Sequence, residues 1–185
     1  MRVTSPGRIL YRVRQFGRAV VTPRLPVSAQ DLGWAHDVLP PDGWRVFKAL
    51  PRTEQHHALS VWRSIRERGY SQPEAAQAAL LHDCAKHGGG VTLVHRVAAV
   101  LIKAFAPGMW RRLKHMPEPA RRDVRFPLWV HANHPARSAA AAAAAGCLPG
   151  AVELIRRHQE ELRDDRPPAP IDDLLAAFQA ADDEN

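Results

Sequence analysis

Nowhere in this chain do apolar residues alternate with polar ones as a half-buried strand requires, and no segment repeats at a fixed period. Apolar positions recur instead at three- and four-residue intervals, in runs cut short by Pro and Gly. That pattern can only bury its apolar stripes by packing short helices against one another, so the expected fold class is all-α.

The punctuation places the helices. Ile9, Val13, Phe16 and Val20 fall at helical spacing with Arg8, Arg12, Arg14 and Arg18 around them, which predicts a basic amphipathic helix over the first twenty residues. Pro23 and Pro26 end it. Ser28, with Asp31 in the first turn, caps a short helix towards Val38, and Pro40-Pro41-Asp42-Gly43 forms a turn before a brief helix over 44–50. A longer helix is expected from Glu54 to Arg68, stopped by Gly69. Ser71 and Glu74 carry a capping-box pattern opening a helix that should run to Ala85. Gly88-Gly89-Gly90 reads as a flexible break, and Thr92 to Phe105 as helix. The stretch 107–127 reads as short helix plus loop. Helices are then expected over 128–146, broken at His134-Pro135, over 151–161, and over 171–182 after a loop at 164–170.

At 185 residues the chain can bury a core without staples. Its longest uninterrupted small-apolar run, Ala139 to Ala145, is far short of a bilayer span. Cys84 and Cys147 are too few for a disulfide framework or a thiolate zinc site and read as small buried helix residues in a reducing, cytoplasmic setting. The formal charge of +7 favours anionic partners.

Ten histidines are many for this length, and their helix faces separate them. His57 shares a face with Val61 and Ile65, whereas His56 faces Ser60 and Arg63. His158 follows Ala151, Leu154 and Ile155 on one stripe. In the last helix Ile171, Leu174, Leu175 and Phe178 form a stripe whose next member is Asp182, with Asp183 on the other side. Imidazoles and an acid where apolar residues belong must be paired or metal-bound, because burying them alone is costly. Satisfied core hydrogen bonds would meet that demand equally well, and His95, beside Ala98, Ala99 and Ile102, passes the same face test.

The dipeptide His82-Asp83 follows the apolar run Ala78-Ala79-Leu80-Leu81, with Lys86 three residues on. Together with His57-Ala58-Leu59-Ser60-Val61 before it and Ala180-Ala181-Asp182 near the end, it resembles the HD superfamily of metal-dependent phosphohydrolases. That family's pattern is a His, a His-Asp pair about two helices later, and a distant Asp. The resemblance covers about residues 52–183 and implies an HD domain over 51–185 preceded by a helical extension over 1–50. It also implies a metal site of His57, His82, Asp83 and Asp182. Two further histidines, His134 and His158, are similar to the extra ligands of the binuclear branch, which includes symmetrical diadenosine tetraphosphate hydrolases. His131 competes for the place of His134, and the Gly-Tyr-Pro motif of the cyclic-dinucleotide enzymes is missing.

Imidazole and carboxylate without thiolate suit iron, manganese, cobalt, nickel or zinc, as one or two ions. His82 and Asp83, about 100° apart on a helix, could serve different ions, with Asp83 shared between them. The expected activity is hydrolysis of a phosphoester or phosphoanhydride, of a nucleotide or dinucleotide, by metal-activated water. Asp83 takes the catalytic role. Lys86 reaches the same face, if the helix persists, to neutralise a substrate phosphate. Arg137, one turn past His134, is a second phosphate-binding candidate. His115 and Arg111, Arg112, Arg121 and Arg122 read as a solvated basic surface. A competing reading keeps the metal but not the turnover: a ligand sensor or interaction module, with residues 8–20 docking to a partner or a membrane surface. A nucleic-acid-binding helical domain ranks last, because no aromatics interleave with the basic residues.

Overall fold

A computed structural model describes residues 26–160 and 171–185. Every regular element among them is helical, as the periodicity requires: α1 (Ala29–Val38), α2 (Pro41–Ala49), α3 (Arg52–Glu67), α4 (Pro73–Leu81), α5 (Cys84–His87), α6 (Leu93–Phe105), α7 (Pro107–His115), α8 (Phe126–Ala144), α9 (Pro149–Arg157) and α10 (Asp172–Glu184). The basic helix expected over the first twenty residues, and the loop expected over 164–170, lie outside the described residues.

The described residues cluster into two compact units, one formed by residues 26–85, 135–160 and 171–185, the other by 86–134. In the first, α4 is the hub. It packs against α9 and α3 and also meets α1, α2 and α10, and every residue from Ala75 to Leu81 is buried. A helix buried all round must be apolar all round. Its one exception, Gln77, is satisfied at both ends of its amide: Nε2 donates to the Val38 carbonyl at 2.9 Å, and Oε1 accepts from the Leu148 amide at 2.8 Å. Gln55 does similar work for α2, donating to the Phe47 and Leu50 carbonyls at its C-terminus. Phe47, Leu59, Ile65, Leu154 and Phe178 fill the surrounding core. Residues 29–50, read from sequence as part of a separate extension, thus share this core through Ala35, Phe47 and Leu50.

The start of α4 departs from the expected capping box. Gln72 is the N-cap, Pro73 occupies the first turn, and no side chain caps the helix. Proline at the first helical position has no N–H to leave unsatisfied and a φ already set for the helix, so α4 starts without a side-chain cap. Glu74 lies instead along the start of α9, close enough that a Cβ on Gly150 would come within 2.9 Å of its Cγ.

In the second unit α6 packs against α7, and Phe126, Trp129 and Val130 form a small cluster with Val91, Leu113 and Met116. The triple glycine is more than a flexible break. Gly89 is buried, and a Cβ there would meet Val130 Cγ1 at 2.4 Å, while Gly90 turns the chain at φ +64°. His95, which passes the inward-face test, closes the N-terminus of α6: its Nδ1 accepts from the Thr92 amide at 3.2 Å and lies 2.8 Å from the Thr92 hydroxyl. Cys84 and Cys147 are free and buried, and burial pushes both thiols up to about 11. Cys147 lies beyond the end of α8, past Gly146 at φ +78°, rather than inside a helix.

Candidate metal centre

Five of the sequence-selected residues meet inside the first unit. His57 comes from the middle of α3, Asp182 from the last turn of α10, His158 from the end of α9, and His82-Asp83 from the turn between α4 and α5. The helix expected to run to Ala85 stops at Leu81, so the His-Asp pair sits on a break, not on a continuous helix. The Ala85 amide, just beyond that break, donates to Ser138 Oγ at 3.1 Å, which ties the turn to α8.

Asp182 Oδ1 lies 3.2 Å from His57 Nε2 and 3.3 Å from His82 Nε2. Asp83 faces two other nitrogens with its two oxygens: Oδ2 is 3.7 Å from His82 Nε2, and Oδ1 is 3.9 Å from His158 Nε2. Ligand atoms of His57, His82 and Asp83 all fall within 4.8 Å of one another. Phe178 backs the group, its ring 5.5 Å from that of His82 and 6.2 Å from that of His158. The stripe that pointed to Asp182 is real: Leu175, Phe178 and Ala181 are buried beside it, while Asp183 is exposed.

One local device aims the rings. His82 Nδ1 lies 3.0 Å from the Ala79 carbonyl, and His158 Nδ1 lies 2.7 Å from the Ile155 carbonyl, each three residues back. Both carbonyls belong to the last turn of a helix, where oxygens lack an intrahelical partner. A carbonyl can only accept, so Nδ1 must carry the proton and donate it. In the neutral ring Nε2 then holds the lone pair and points into the cluster.

The same pairing recurs in the second unit, where His134 Nδ1 lies 2.7 Å from the His131 carbonyl. There the oxygen is orphaned by chemistry rather than by position. Pro135 has no N–H to offer it, and more generally a proline strips the carbonyl four residues back. This accounts for a correction. α8 was expected to break at His134-Pro135, yet it runs unbroken from Phe126 to Ala144 with Pro135 inside. His131 and His134 are both buried, their rings 5.6 Å apart. Lys86, also in the second unit, is buried in α5, and Arg137, in the first, is half-buried.

The electrostatics fit a cation. Burial alone would raise the Asp182 carboxyl, but the charges of His82 and His57 and their hydrogen bonds hold it well below the usual carboxylate range. Burial pushes the His158 imidazole down to about 4, and His82 beside it adds to the shift. Asp182, Asp83 and the Ile155 hydrogen bond oppose it. His158 is therefore neutral near pH 7, the form that ligates metal. A lone pair on Nε2 facing a carboxylate oxygen sets two acceptors against each other. Such a contact needs positive charge, either a second proton on the ring or a cation among the donors. The set is nitrogen and oxygen only, which suits divalent transition metals over thiolate-seeking ones.

No protein-family model, no curated protein and no solved structure matches this chain.

Proposed function

We propose that this protein is an HD-type metal-dependent phosphohydrolase, cleaving a phosphoester or phosphoanhydride of a nucleotide or dinucleotide. The observation that carries the reading is the convergence of His57, His82, Asp83, His158 and Asp182 from three helices and one turn, with two imidazoles aimed by their own backbone. His57, His82 and Asp182 would hold one ion. His158 would serve a second, with one oxygen of Asp83. The two oxygens of Asp83 face different imidazoles, an arrangement that suits a carboxylate shared between two ions.

Iron, manganese, cobalt, nickel or zinc bound there would supply Lewis acidity and an activated water. The chain's own groups do the rest. Half-buried Arg137, in the same unit as the centre, is the cation assigned to the substrate phosphate, whose negative charge it would balance. The depressed His158 keeps its ring neutral at working pH, so it need not shed a proton to bind. Phe178 keeps one side of the cluster dry, which strengthens every charge interaction within it.

The test joins metal analysis to activity. Purified wild-type protein and Asp83→Ala are compared for metal content, then assayed on nucleotides, dinucleoside polyphosphates and phosphodiesters. Two ions per chain falling to one or none in the variant, with phosphate release lost in step, supports the proposal. Full metal retention in Asp83→Ala would refute the ligand assignment. A metal-loaded wild type inert across the panel would remove the hydrolytic activity and leave a metal-dependent sensor.

A further inference from the structure

Helix α6 is inside out for a soluble packing helix. It buries one residue, Ala99, while Val94, Leu101 and Phe105 are 74%, 42% and 76% exposed. At 100° per residue these three fall within about 40° of one another, with Ala99 roughly 140° away. An apolar stripe thus faces outward along the helix. Four residues past Phe105, Met109 on α7 is 52% exposed as well.

The charge around this stripe has one sign. Between His87 and Pro117 there is no Asp or Glu; Arg111, Arg112 and Lys114 follow the stripe on α7, and Arg96 and Lys103 lie on the far side of α6. Arg111, Arg112 and Lys114 are exposed on α7. The chain bends by 120° between the two helices, and no single described helix is long and apolar enough to cross a membrane. A bent amphipathic pair with a basic flank has the composition of a helix that lies in the headgroup layer of a bilayer.

We propose that α6 and α7 dock this protein onto an anionic lipid surface, with Val94, Leu101 and Phe105 inserted and the arginines and lysine of α7 on the headgroups. Two other occupants are disfavoured by charge. A second copy would bring the same three cations of α7 face to face. The chain's own first twenty-five residues carry six arginines and no acid, so they too repel this face. The proposal is separate from the metal centre and from the basic helix read over residues 8–20.

The experiment is co-sedimentation of the full chain with phosphatidylcholine vesicles, with and without phosphatidylserine. Binding is expected only with phosphatidylserine, weakening as salt rises. Val94→Ser with Phe105→Ser should lower it about tenfold or more. Arg111→Gln with Arg112→Gln should lower it about fivefold per charge. The exposed positions predict unchanged circular dichroism and melting for both pairs. Replacing Arg8, Arg12, Arg14 and Arg18 with Gln should leave binding that still depends on Phe105. No binding to anionic vesicles would overturn the proposal, and so would binding indifferent to Val94 and Phe105. A wild-type dimer in sedimentation that Phe105→Ser splits would overturn it in favour of self-association.

Discussion

Acid should unfold the metal-free protein through one buried ring. His158 is fully enclosed, and its pKa is pushed from 6.5 to about 4 in the folded chain. Its folded pKa is the lower one, so the unfolded chain binds its proton first. The stability this ring contributes is intact above pH 6.5 and drains away as pH falls to about 4. One proton per chain corresponds to about 1.4 kcal/mol per pH unit, so the window of 2.5 units costs roughly 3 kcal/mol. Asp182 acts in the same direction but lower, below its ordinary 3.8, so the two windows separate. The assay is urea unfolding of chelated wild type and His158→Gln at pH 7, 6, 5 and 4.5. The variant lacks the titrating group, so it should start less stable at pH 7 and lose less on acidification. The gap between the two should close by roughly 2–3 kcal/mol over that range. Parallel curves would refute the reasoning, because they would mean His158 takes its proton equally well in both states.

Pro135→Ala restores an amide to the His131 carbonyl and removes an interior helix proline worth up to about 3 kcal/mol. It should raise the melting temperature and, by giving that carbonyl a backbone partner, release the His134 ring; a melting temperature that fails to rise contradicts it. Gly89→Ala drives a methyl into Val130, at 2.4 Å from Cγ1, and should cost about 1–3 kcal/mol in denaturant unfolding. A neutral result would mean that the chain around Gly89 gives way freely. Arg157 donates at 2.8 Å to both Glu160 and Asp172, tying the end of α9 to the start of α10. Arg157→Met should cost about 1–3 kcal/mol by removing the Arg157 ion pair from Asp172, and adding Asp172→Asn should recover part of it, read by the same unfolding.

Periodicity and punctuation carried the helical class and most helix positions. α3, stopped by Gly69 at φ +90°, and α6 needed nothing beyond local spacing. Face analysis also found Asp182, because an acid completing an apolar stripe is visible in sequence. The His82-Asp83 break was not legible, since nothing in Leu81-His82-Asp83-Cys84 marks a helix end. The continuity of α8 was hidden for a different reason. Proline normally argues for a break, and only the ring of His134 at the stripped carbonyl shows how the helix carries on. His95 passed the inward-face test and turned out to cap α6 through Thr92, a local hydrogen bond that periodicity does not register. The division into units was also out of reach, because it joins residues far apart in sequence.

Because main-chain oxygens steer His82 and His158, the side chains of Ala79 and Ile155 take no part in that steering. Either could be exchanged for another good helix former of similar size without turning the imidazole. Vulnerability lies in helix length. One extra turn at the end of α4 or α9 would reclaim the oxygen for the backbone ladder and let the ring swing, with every donor atom still present.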